Sequence, residues 1–266
     1  MFDSIAGDYD ALNHILSLDV DKIWRKKALK QIVDAPAPVQ VLDLACGTGD
    51  FSIAIAKALS RSHKRVGTPI EAHVKAPAKV PVEAQVTSTG FVTGDSGRSD
   101  LMTKGHVTGV DLSEGMLAVM REKVGKAGLT EMISIEEGDG ENLRFPDNTF
   151  DRVTIAFGIR NFEDRPKGLR EMLRVLKPGG RLVILELSRP ENKVIRWFYD
   201  LYFLHILPKI GGKVSGDKAA YAYLPASVAA FPGKKEFMAT MREAGFRTVT
   251  HKAFTLGICR MYTGEK

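Results

Sequence analysis

The stretch 41–50, VLDLACGTGD, runs four mostly apolar residues into a Gly-x-Gly turn formed by Gly47 and Gly49. A strand ending in such a turn before a helix cradles a nucleotide-like ligand, because glycine lets the backbone approach with no Cβ in the way. The dinucleotide fingerprint is incomplete, since its third glycine falls on Ser52. The only cysteines, Cys46 and Cys259, are far apart, with neither C-x-x-C spacing nor a companion histidine cluster. Neither a disulfide framework nor a metal site is indicated, and a reduced cytoplasm suits both thiols. Cys46 reads as a small packing residue, because nothing near it in sequence would stabilise a thiolate.

The elements that must position this turn follow from periodicity. Apolar residues at helical spacing predict one or two helices over 3–33, ended by the prolines at 36 and 38. Strands are expected at 39–44, 106–111, 132–137, 150–156 and 181–187. Helices are expected at 50–59, 113–126 and 165–176, the second opened by Ser113 and the third stopped by Lys-Pro-Gly-Gly at 177–180. Such alternation argues for an α/β fold with a mostly parallel sheet covered on both faces, its ligand at the carboxyl ends of the strands. The tail departs from the pattern, with helices at 191–207, 218–230 and 234–244, then a hairpin of 245–253 and 256–262 that turns near Phe254 and Thr255. Two antiparallel strands after five parallel ones give a seven-stranded sheet.

The chain has 266 residues, 44% hydrophobic and 26% charged, an ordinary soluble globular composition. Its formal charge is +6, and 60–105 holds seven Lys/Arg against four Asp/Glu, so half of the excess lies there. That segment lacks a sustained period and separates a helix from a strand where two to six residues are usual, so it reads as an insertion, either a small hairpin or disordered. Its basicity reads mainly as solvated surface, with an anionic membrane and nucleic acid as competing readings. The start carries two acids in its first eight residues, wrong for a signal peptide, and no eighteen apolar residues run uninterrupted. The expectation is one cytoplasmic domain over 1–266, with a helical flap at 1–38 and a helical substrate cover at 191–232, able to lie against a membrane.

Four blocks in order, VLDLACGTGD, VTGVDLSEGML, EEGDGENLRFPDNTFDRVTIAFGIRNF and EMLRVLKPGGRLVILELSRP, resemble the signature blocks of class I S-adenosylmethionine-dependent methyltransferases. With FDSIAGDYDALN, GIRNF, LPKIGG, YAYLPASVAAFP and EAGF, the chain resembles the ubiquinone/menaquinone biosynthesis C-methyltransferase family over everything except the insertion. It departs from the pattern in carrying Ala45 for the first glycine of the turn and in delaying the second acidic residue to Asp111.

The resemblance implies a Rossmann-like methyltransferase fold and S-adenosylmethionine as cofactor. It places Gly47 and Gly49 against the cofactor's amino-acid moiety, with Asp43 organising the turn or accepting from the ammonium and Thr48 adding a hydroxyl. Asp111 would accept both ribose hydroxyls, or else serve as an acid at a helix N-terminus. Leu112 would lie against adenine, Asp139 would accept the adenine amino group with Gly140 leaving room for the ring, and the Ala156 backbone would border the methionine part.

The implied reaction is methylation of a ring carbon of a prenylated quinol, demethylmenaquinol giving menaquinol; whether the quinol of ubiquinone synthesis is also a substrate is not written in the sequence. The stretch 156–161 lacks the Asp/Asn-Pro-Pro-aromatic block of many amine methylations. A phenol instead activates its own ring, because ionising the hydroxyl pushes electron density onto the ortho carbon. Arg160 is the candidate for favouring that phenolate, a surface ion pair with Glu163 or Asp164 being its alternative. Asn161 would orient the substrate, His205 would transfer a proton or be structural, and Tyr9 and Tyr221 would close over the ring or belong to the core. The apolar helix near 197–206 would groove the prenyl chain or pack as core, and transient membrane contact would collect the quinol. Methylation of an oxygen or of a lipid is one alternative. A nucleic-acid-binding module built on the basic insertion is another, although no nucleic-acid partner is expected.

Overall fold

The computed structural model describes residues 20–35, 39–66, 105–202 and 218–266, with backbone alone at 62–66 and 218–222. In chain order the elements are α1 (Val20–Val33), β1 (Gln40–Leu44), α2 (Asp50–Val66), β2 (His106–Asp111), α3 (Glu114–Lys126), β3 (Ile133–Glu137) and β4 (Phe150–Ala156). A 3-10 turn at Ile159–Asn161 leads to α4 (Arg165–Val175), β5 (Leu176–Leu187), α5 (Lys193–Leu201), α6 (Lys218–Ala230), α7 (Lys234–Glu243), β6 (Arg247–Phe254) and β7 (Cys259–Glu265).

The seven strands form one sheet in the order β3-β2-β1-β4-β5-β7-β6, parallel from β3 to β5 and antiparallel at β7 and β6. Its inner strands read as continuous apolar runs because both faces are covered, and alternate residues enter different cores. Leu182 and Ile184 of β5 pack with Leu42, Leu44 and Ile155 on one face, whereas Val183 and Leu185 pack with Val41, Ile55 and Trp24 of α1 on the other. The order reverses at β1, which pairs with β2 on one side and β4 on the other, so a crevice opens there at the carboxyl ends of the strands.

Local chemistry accounts for the element ends. Ser113 caps α3 by accepting from the Met116 amide at 3.2 Å, and Asp164 caps α4 by accepting from Lys167 N at 2.9 Å. β5 starts at Leu176 rather than 181, because Leu176 already pairs with Phe150 and the Lys-Pro-Gly-Gly stretch forms an irregularity within the strand. The hairpin turn is longer than expected. Thr255, Leu256 and Gly257 adopt positive φ, so β7 starts at Cys259 instead of 256. α2 runs to Val66, beyond the expected 59. Most of the expected flap at 1–38, the insertion from 67 to 104 and the stretch 203–217 lie outside the described residues.

Candidate active site at the carboxyl ends of the strands

β1 ends in a turn with Ala45, Gly47 and Gly49 at φ values of 49°, 55° and 83°. Ala45 holds this left-handed conformation as a non-glycine residue, at a cost of roughly 1–2 kcal/mol. The turn is tied to the end of β2: Cys46 N donates to Val110 O at 3.1 Å, and Gly47 N donates to Asp111 Oδ2 at 2.8 Å. The other Asp111 oxygen accepts from Ser113 N at 2.9 Å, which locks the carboxylate between turn and helix. Each carboxylate oxygen can accept twice, so these bonds orient Asp111 for a pair of ligand hydroxyls as well.

Beside the turn lies a cavity of about 330 Å³, within the range of small-molecule sites at ~300–1,000 Å³. Asp111, Leu112, Asp139, Gly140, Ala156 and Asn161 all line it, together with Gly47. Leu112 is 67% exposed, an apolar surface presented at the opening. A smaller recess shares Ala45, Gly47, Ala156 and Phe157 with the cavity and is walled by Asp43, Thr48 and Arg25. Asp43 is buried and accepts from Ser52 Oγ at 2.5 Å. Burial lifts its carboxyl from the ordinary range to about 7, a rise that the Ser52 bond and nearby Arg25 oppose and Asp111 adds to. Arg25, from α1, donates to Asp50 Oδ2 at 3.2 Å and lies 5.7 Å from the centroid of the Phe157 ring. Thr48 Oγ1 accepts from Lys123 Nζ at 3.3 Å. An acid and a guanidinium flanking one narrow recess suit a zwitterionic amino-acid group. Burial, with Asp43 and Asp111 adding to it, pushes the Cys46 thiol well up, so it stays protonated and packs 3.5 Å from Met120 Sδ.

Two glycines also answer to packing within the protein. A Cβ on Gly49 would meet Met120 Cγ at 2.4 Å, so Gly49 serves the packing of α3. A Cβ on Gly140 would meet Phe162 Cζ at 2.6 Å, so the room above Gly140 belongs to a protein ring.

Arg160 is not on the cavity wall. It is buried, and its guanidinium donates to Glu186 Oε1 at 2.8 Å, a fully buried acid on β5, and to the carbonyl of Phe157. Glu186 also accepts from the backbone amides of Arg160 and Leu187 at 3.1 and 2.8 Å. Arg160, the candidate for favouring a phenolate, thus makes its ion pair with Glu186 rather than with Glu163 or Asp164, the alternative partners, and the pair pins the 3-10 turn that carries Asn161. Asn161 Oδ1 accepts from the hydroxyl of Tyr223 on α6 at 2.8 Å. Tyr9, His205 and the side chain of Tyr221 lie outside the described residues.

Reading the sequence missed Arg25, Ser52, Phe162, Glu186 and Tyr223. Ser52 counted only as the absent third glycine, although its hydroxyl is what holds Asp43. Glu186 had a visible signal, a single acid in the apolar run RLVILEL. Buried charges in strands are rare unless paired.

The family model described as the ubiE/COQ5 methyltransferase family matches residues 1–266. A Geobacter sulfurreducens protein named ubiquinone/menaquinone biosynthesis C-methyltransferase UbiE is 43% identical over 266 residues, 100% of this chain and 87% of the relative. A Bacteroides fragilis demethylmenaquinone methyltransferase is 40% identical over 100% of this chain and 91% of its own length. Among solved structures, a Haloferax volcanii putative methyltransferase complexed with its Trm112 activator aligns with TM-score 0.60 at 17% identity, covering 100% of this chain and 97% of that one. An Aquifex aeolicus SAM-dependent methyltransferase aligns with TM-score 0.53 at 20% identity, over 90% and 88% of the two chains. At these identities the structures share the fold.

Two measurements check the site's electrostatics. Glu186→Leu strands the buried Arg160 charge and should cost about 3–5 kcal/mol, read from the denaturant midpoint at constant slope. Asp43 has a folded pKa raised to about 7, so its contribution to stability falls as pH rises from about 4 and levels off above about 7. Asp43→Asn should therefore gain in melting temperature relative to the parent across that window, and parallel melting curves from pH 4 to 8 would refute the assignment.

Proposed function

Because the chain belongs to the ubiE/COQ5 methyltransferase family, we propose that it moves the methyl group of S-adenosylmethionine onto a ring carbon of a prenylated quinol, turning demethylmenaquinol into menaquinol. The observation that carries this reading is the direct bond between Gly47 N and Asp111, which brings turn and carboxylate to one cavity despite the long connection between their strands.

The residues present fit the cofactor. Asp111 would accept the ribose hydroxyls, Leu112 would cover adenine, and Asp139 would accept the adenine amino group. Asp43 and Arg25 would hold the ammonium and carboxylate in the recess, where Thr48 adds a hydroxyl and Ala156 lines the wall. When bound, the cofactor supplies an electrophilic sulfonium methyl. The protein's share is to align the quinol, exclude water and favour its ionised hydroxyl, which loads the ortho carbon with electron density. In this reading Tyr9 and Tyr221 cover the ring, and His205 takes the ring proton whose loss restores aromaticity. Arg160, compensated by Glu186, acts by positioning Asn161.

The prenyl chain gives the exposed face of α5 a purpose. Val194, Trp197, Phe198 and Leu201 fall at i, i+3, i+4 and i+7, exposed by 66%, 60%, 60% and 39%. The buried Tyr199 anchors the other side. No helix among the described residues is long and apolar enough to cross a membrane. An apolar stripe of this kind suits peripheral contact with lipid and with a prenyl tail, from a cytoplasmic protein.

Labelled methyl from S-adenosylmethionine should appear on a ring carbon of demethylmenaquinol; label on oxygen would transfer the assignment to an O-methyltransferase. In calorimetry, Asp111→Ala should weaken S-adenosylhomocysteine at least about tenfold, as expected for hydrogen bonds to a charged group. Trp197→Glu with Phe198→Glu should abolish co-sedimentation with anionic vesicles while leaving S-adenosylhomocysteine affinity intact. Equal sedimentation of parent and variant would remove the membrane contact.

A further inference from the structure

Asn161 stands on the cavity wall with its two polar atoms in different situations. Oδ1 accepts the Tyr223 hydroxyl at 2.8 Å, whereas Nδ2 makes no hydrogen bond among the described residues. A primary amide carries its acceptor and its two donors on opposite sides, so fixing one side aims the other. The backbone below is rigid: Asn161 N donates to Gly158 O at 3.0 Å, and the preceding Arg160 is held to Glu186 through both side chain and amide. Tyr223 is half-buried on α6, the helix beside this turn.

We propose that Tyr223 is a positioning residue, which by donating to Asn161 Oδ1 presents Asn161 Nδ2 to the cavity as the hydrogen-bond donor for the substrate's ring oxygen. The inference rests on the quinol reading above and deepens it. With the Arg160 guanidinium compensated by Glu186, a neutral donor aimed by a tyrosine supplies the stabilisation that an ionising ring hydroxyl needs. Were the amide reversed, Oδ1 would face the developing oxyanion and repel it. The reaction balances without a further reagent. The quinol hydroxyl proton passes to water, the carbon–sulfur bond breaks as the ring carbon–methyl bond forms, and the ring proton leaves while the oxygen regains a proton. One proton is released overall, and the cofactor becomes a neutral thioether.

The test uses the full chain with demethylmenaquinol and S-adenosylmethionine. Tyr223→Phe keeps the ring and removes only the donor. It should lower kcat roughly five- to tenfold, the worth of one hydrogen bond, with S-adenosylhomocysteine affinity unchanged. The limb of the kcat–pH profile that reports ionisation of the bound hydroxyl should move to higher pH, which loss of mere helix packing would not cause. Asn161→Ala should cost about a hundred- to a thousandfold in kcat, and Asn161→Asp more, because a carboxylate repels the phenolate. The double variant Tyr223→Phe/Asn161→Ala should be no slower than Asn161→Ala alone, since Tyr223 acts through Asn161. Additive losses, or a Tyr223→Phe enzyme with parental kcat and pH profile, would overturn the proposal. If the parent methylates no quinol at all, the reading of the substrate fails, and that outcome is told apart by the parent enzyme alone.

Discussion

The Asp111 carboxylate, shared between Gly47 N and Ser113 N, is the interaction on which the site depends. It joins the end of β2 to the turn after β1 and to the start of α3, so three elements meet at one pair of oxygens. Backbone pairing brings it into place: β1 and β2 run parallel in register from Gln40 opposite His106 to Leu44 opposite Val110. The connection between α2 and β2 is long, but loop closure costs only about 0.6 kcal/mol per doubling of length. The chain re-enters the sheet at a defined point. His106 N donates to Val39 O at 3.0 Å, and Gly105, at φ 75°, passes so close that a Cβ would meet that carbonyl at 3.1 Å. The length of the excursion therefore leaves Asp111 where the turn needs it.

Concentrating acids around one turn costs free energy, and the neighbouring elements supply the compensation. Asp43, Asp50 and Asp111 lie within a few residues of the turn or across it, and α1 and α3 bring Arg25 and Lys123 to Asp50. Asp43 is the exception, since among the described residues only Ser52 bonds it directly and burial raises its carboxyl to about 7. A cationic group entering the recess would favour the ionised form. The basic residues of α1 thus divide. Arg25 turns inward onto Phe157 and Asp50, while Lys22, Lys26 and Lys30 stay at the surface.

What the sequence revealed was mostly what repeats with a local period. Strands buried on both faces are short apolar runs, and Ser113 announces the helix it caps, so a mostly parallel sheet with its ligand at the carboxyl ends could be reasoned out beforehand, whereas the order of the strands could not. Gly47 and Asp111 were recognisable because a glycine turn and a strand-end acid are local patterns. The misses are long-range pairs. Glu186 finds Arg160 from 26 residues away and Tyr223 finds Asn161 from 62. No spacing rule encodes such contacts, which exist only once β5 and α6 are laid beside the 3-10 turn. The packing constraints at Gly49 and Gly140 were hidden in the same way, since Met120 and Phe162 reach them through tertiary packing.

The capture of Arg160 changes how the catalytic surface must be understood. A guanidinium facing an open cavity would attract any anion and would favour a phenolate through charge alone. Paired with a fully buried acid, it adds little net charge at the cavity, but it makes the turn rigid because Glu186 holds its side chain and its backbone together. Breaking such a pair is far costlier than the pair is stabilising, so the turn has one strongly preferred arrangement. Rigidity of this kind is what a neutral donor requires, since an amide stabilises an oxyanion only when it is already aimed and needs no reorganisation during the reaction. The ion pair and the Tyr223–Asn161 bond are then two parts of one device: the first fixes where Asn161 stands, and the second fixes which way its amide points.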